Sequence, residues 1–68
     1  MTLVEFEAEL QSIRSRNGWR IELNFTGIWE VNVYDKITDE FLACTGSSGL
    51  EGVLFALRTP LDEGPWIS

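Results

Sequence analysis

The sequence predicts one α+β domain: a three-stranded antiparallel sheet with two helices packed on one face, in the order α-β-β-β-α. Three observations predict it. Apolar residues recur at helical spacing near both ends of the chain, apolar and polar residues alternate through the middle, and turn residues punctuate that alternation. The 68 residues leave room for a single core. We divide them into a domain at 1–60 and a C-terminal tail at 61–68.

At the start, Thr2 followed by Glu5 fits a capping box, which satisfies backbone N–H groups at a helix N-terminus. Leu3, Phe6, Leu10 and Ile13 then form an apolar stripe. Glu5, Glu7 and Glu9 lie toward the positive end of the helix dipole, Arg14 and Arg16 toward the negative end. Asn17-Gly18 ends the helix, which should span roughly residues 2–16.

Trp19 to Thr26 alternates strictly, so Trp19, Ile21, Leu23 and Phe25 should face inward from a first strand. Thr26-Gly27 is a tight turn. Trp29, Val31 and Val33 continue the inward face on a second strand, and Asp35 to Glu40 reads as a hairpin loop. Phe41 to Thr45 is a third, short strand of undecided facing. With both helices on one side, the open side should carry Arg20, Glu22, Asn24, Glu30, Asn32 and Tyr34.

The last helix follows the turn Thr45-Gly46-Ser47-Ser48-Gly49. Ser48 and Glu51 fit a second capping box, Leu50, Val53, Leu54 and Leu57 form the stripe, and Pro60 stops the helix by residue 58 or 59. Gly46, Gly49 and Gly52 meet the steric requirement for cradling a phosphate, but the electrostatic one is unmet. No lysine or arginine lies between Lys36 and Arg58, and Glu51 occupies the first turn. The turn is read as structural.

The segment Cys44-Thr45-Gly46-Ser47-Ser48-Gly49-Leu50-Glu51 sits where the double-stranded-RNA-binding domain carries a glycine-serine turn into its last helix. The order of elements resembles that family over nearly the whole chain. The resemblance implies the topology and, in the family, a lysine cluster gripping phosphates across a groove. Here the corresponding positions are Gly49, Leu50 and Glu51, and the first helix presents Glu5, Glu7 and Glu9. The loop that reaches the neighbouring minor groove shrinks to Thr26-Gly27. No RNA-contact residue carries over.

Charge narrows the function classes. Eleven acids against five bases give −6, which works against binding nucleic acid or an anionic membrane and suits a basic protein partner. The amino terminus has no basic flank or unbroken apolar run, and Cys44 is the one cysteine, which together point to the cytoplasm. With no histidine to activate it, Cys44 reads as a buried thiol and not a nucleophile. Asp35, Asp39 and Glu40 do not match a calcium loop, so no metal, cofactor or catalytic residue is expected.

The leading reading is therefore a small acidic, non-catalytic protein-interaction module. Its expected partner-binding residues are Glu5, Glu9, Glu22, Glu30, Tyr34 and Trp66. Trp19 and Trp29 fall in phase with the core. Trp66, after Gly64-Pro65, has two readings: it folds back over the domain edge, or it anchors a partner or a second copy in a homodimer. Ile28 either tucks against the tail or stands exposed. The alternative function is an acidic, nucleic-acid-mimicking inhibitor of a nucleic-acid-binding enzyme, of the kind phages and other mobile elements encode; double-stranded RNA binding ranks third.

Overall fold

The computed structural model describes residues 2–67. It contains helix α1 (Leu3–Asn17), strands β1 (Trp19–Phe25), β2 (Trp29–Asp35) and β3 (Phe41–Ser47), and helix α2 (Leu50–Leu57). The strands form one antiparallel sheet in the order β1-β2-β3. The α-β-β-β-α order is the one the periodicities predict. Among the described residues no helix is long and apolar enough to cross a membrane.

Local chemistry sets the ends of α1. Thr2 Oγ1 accepts from the Glu5 N–H at 3.2 Å and donates to Glu5 Oε1 at 3.1 Å, so the carboxylate engages the hydroxyl. Gly18, at φ 67°, takes the left-handed turn and donates its N–H to Arg14 O at 2.9 Å. Phe6, Leu10 and Ile13 are buried as expected, but Leu3 is 71% exposed. The sheet and α2 cover the helix only from Phe6 onward.

One face of the sheet supplies Val31, Val33 and Ala43 to the core, and α2 supplies Val53, Leu54, Ala56 and Leu57. Trp19, Ile21, Leu23 and Trp29 pack half-buried against them. Phe25 departs from the expected inward row. It is exposed at the end of β1, where its ring lies 5.0 Å from that of Trp29 across the turn.

A bulge resolves the facing of β3. Val33 pairs with Ala43 but Tyr34 pairs with Phe41, leaving Leu42 as the extra residue. Ala43 points into the core, and Phe41 lies beside Tyr34 on the open face. Cys44 pairs with Asn32, so the thiol expected to be buried stands half-exposed on that same open face.

The β2–β3 loop is held by Asp35, whose Oδ1 accepts from the N–H groups of Ile37 (2.8 Å) and Thr38 (2.9 Å). These two bonds, Thr38 first, hold the carboxyl below its ordinary value of 3.8. A depressed folded-state pKa stabilises the fold above the ordinary value, and that stabilisation is lost as pH falls through the folded one. In melting curves across pH, the advantage of the wild type over Asp35→Asn should therefore be full near neutrality and shrink in acid. A constant gap would show that the charge of Asp35 is idle.

The second capping box does not form. Gly49 is the N-cap of α2, with no side-chain bond to the helix. Ser47 takes the turn instead: its Oγ donates to Gly49 O (3.0 Å) and accepts from Gly49 N (3.4 Å). The helix comes so close to this serine that a Cβ on Gly52 would overlap Ser47 Oγ and lie 3.2 Å from its Cβ. Gly52 is thus a packing glycine. Overpacking costs about 1–3 kcal/mol and the helix propensity of alanine returns about 1 kcal/mol. Gly52→Ala should therefore destabilise by about 1 kcal/mol in chemical denaturation. In a Ser47→Gly background the same change should stabilise.

The segment after α2 does not hang free. Leu61 packs against the core and Trp66 is buried within it, 9% exposed. The Trp66 indole Nε1 donates to Ala56 O (2.8 Å) and Thr59 O (3.2 Å), closing the C-terminal end of α2. One residue on, Ile67 and Cys44 exchange backbone hydrogen bonds of 2.8 Å, and Thr45 Oγ1 donates to Pro65 O at 3.0 Å. The tail is tied to the outer edge of β3.

Candidate interaction surface

The uncovered sheet face is built by strand alternation. Residues that pair across β1, β2 and β3 share a face, so Arg20, Tyr34 and Phe41 form one cross-strand row, with Glu22, Asn32 and Cys44 in the next. Phe41 meets Tyr34 edge-on, with ring centroids 5.7 Å apart at 70°. On its other side Tyr34 carries the Arg20 guanidinium, whose Cζ lies 4.2 Å from the ring centroid.

Arg20 is fixed by two carboxylates. Its Nη1 lies 2.8 Å from Glu22 Oε2, and its Nε and Nη2 lie 2.8 and 2.7 Å from Asp39 Oδ1. Asp39 reaches this position from the hairpin loop through a left-handed φ of 62°, which a short acidic side chain tolerates. Exposed ion pairs of this type add little to stability; their effect is to hold the guanidinium over the tyrosine ring. The loss of water around Tyr34, followed by the nearby Glu22 carboxylate, pushes its phenol above 10.0. Tyr34 therefore remains a neutral hydrogen-bond donor at neutral pH.

Of the residues expected to bind a partner, this face brings together Glu22, Glu30 and Tyr34. Glu5 and Glu9 stand on α1, in the helix layer behind the sheet, and Glu9 pairs with Arg58 at 3.0 Å across to the end of α2. Trp66 is not available to a partner: the Ala56 and Thr59 carbonyls and the core enclose it, which corrects the anchor reading. Ile28 is half-exposed and extends over Gly46, where its Cδ1 would lie 3.0 Å from an added Cβ.

Sequence reasoning missed Phe41, Asp39 and a cationic groove. Phe41 joins the face only through the bulge, and Asp39 only through the loop's left-handed turn, so neither leaves a local signal. The groove, of about 420 Å³, gathers Arg14, Arg20 and Lys36 beside Trp19 at the start of β1. Those cations come from three separate segments. At the start of α2, the unformed capping box leaves first-turn N–H groups uncapped by a side chain, but Glu51 still occupies that turn. No family model, no curated protein and no solved structure matches the chain.

Proposed function

We propose that this chain is a non-catalytic protein-interaction module that receives a partner with a basic surface on its uncovered sheet face. The observation that carries the reading is the Tyr34–Phe41 aromatic pair, partly open on a face no helix covers and rimmed by Glu22, Glu30 and Asp39. Tyrosine is among the residues enriched in binding hot spots, and carboxylates around it steer and orient a basic partner. Acidic mimicry of a nucleic acid is less well supported, because its acids would need to form one array. Here Glu5 and Glu9 lie behind the sheet, away from Glu22 and Glu30.

The test is capture of partners from native lysate by the immobilised full chain, compared among variants. Tyr34→Ala and Phe41→Ala should each reduce retention roughly tenfold or more, and the wild-type signal should weaken as salt rises. Glu5→Gln and Glu9→Gln, in the helix layer, should leave retention unchanged. Retention that ignores the face variants and follows the helix variants would overturn the assignment.

A further inference from the structure

The sheet has two edges, and they are treated differently. The β3 edge is tied at Cys44 by Ile67. The β1 edge is bare. The bonds Thr26 N–H to Ile28 O and Lys36 N–H to Gly18 O fix the hairpin phase. Arg20, Glu22 and Asn24 therefore turn their backbone groups toward β2, while Trp19, Ile21, Leu23 and Phe25 turn theirs outward. Among the described residues no hydrogen bond reaches those outward groups. Proteins blunt such edges with proline, charged side chains (lysine above all) or a bulge, and the two charges on β1, Arg20 and Glu22, are of opposite sign. β1 contains no proline or lysine, and its register with β2 is unbroken over seven residues.

The strand is also its own complement. Trp19-Arg20-Ile21-Glu22-Leu23 reads apolar, positive, apolar, negative, apolar, and its antiparallel image places each charge opposite the other sign. We infer that β1 pairs antiparallel with β1 of a second copy about a two-fold axis at Ile21, joining two three-stranded sheets into one. In this register Ile21 exchanges N–H···O bonds with Ile21 of the second copy, and Trp19 does so with Leu23. Their half-buried side chains close over one another on the core side. On the open face Arg20 stands opposite Glu22 of the second copy, twice by symmetry, at the close non-hydrogen-bonded positions. Arg20 keeps Asp39, Tyr34 and its own Glu22, and its two remaining N–H groups meet the incoming carboxylate. It also lines the groove where Arg14 and Lys36 gather.

The neighbouring registers are worse. An axis at Glu22 sets Glu22 against Glu22, an axis at Leu23 leaves Glu22 facing Asn24, and parallel pairing through the same edge turns the second copy over, so that Arg20 lies beside its apolar core-side residues. Self-association of this kind leaves the Tyr34–Phe41 pair, Glu30 and Asp39 uncovered, and shares only Glu22 with the proposed binding face.

Sedimentation of the full chain over a concentration series tests the seam. The wild type should rise to twice the monomer mass. Arg20→Glu alone and Glu22→Arg alone each place like charges opposite one another, and each should weaken dimerisation by roughly tenfold or more. An equimolar mixture of the two variants restores both opposite-sign pairs and should recover the dimer. The first change takes the net charge from −6 to −8 and the second from −6 to −4, so a general charge effect would move them in opposite directions. Circular dichroism of each variant establishes that it is folded. A wild type that stays monomeric at the highest concentration overturns the inference. So does a dimer indifferent to both substitutions, or a mixture that stays monomeric.

Discussion

Trp66→Ala should leave the chain largely unfolded at room temperature. Truncating a buried tryptophan costs about 3–5 kcal/mol, and a core of this size rarely supplies more than about 3–5 kcal/mol in total. The loss extends beyond volume, since Ala56 O and Thr59 O each forfeit the indole donor that closes α2. Trp66→Phe separates the two contributions: it keeps most of the apolar bulk and removes the N–H. It should fold, with a lower denaturation midpoint than the wild type. A Trp66→Ala protein with a near-wild-type midpoint would mean that the tail is an ornament on an already complete core.

The second large effect sits on adjacent residues of α2. Leu54 is 1% exposed and Phe55 is 67% exposed. Leu54→Ala should lose about 2–5 kcal/mol by removing buried surface and leaving a void in the core. Phe55→Ala, with the larger deletion, should stay within about 0.5 kcal/mol. Urea titrations of the two variants side by side would check this. Equal losses would place Phe55 against a surface that the monomer does not provide.

Much of this was legible locally. Phe6, Leu10 and Ile13 repeat at helical spacing and are buried; Val31 and Val33 alternate with Glu30, Asn32 and Tyr34 and separate to opposite faces. That alternation also placed Glu22, Glu30 and Tyr34 on one surface. Legibility failed where the answer depended on a distant partner. Trp66 follows Gly64-Pro65 with no periodicity, and its burial depends on the carbonyls of Ala56 and Thr59, ten and seven residues away. Cys44 was assigned the wrong environment because one extra residue, Leu42, shifts the register. At α2, Ser48 and Glu51 satisfied a local pattern, but the Ser47 hydroxyl held Gly49 first. Arg20 and Asp39 are nineteen positions apart, and only the folded hairpin brings them together.

The docked tryptophan leaves the chain with a point of weakness. Between Thr59 and Trp66 the backbone loops out over the surface, with Asp62, Glu63, Gly64 and Pro65 all exposed. A single protease cut there would break no contact within the core, yet it would turn the intramolecular docking of Trp66 into a bimolecular one. Trp66 would then be held by affinity alone, so the stability of the whole core hangs on the continuity of this exposed loop.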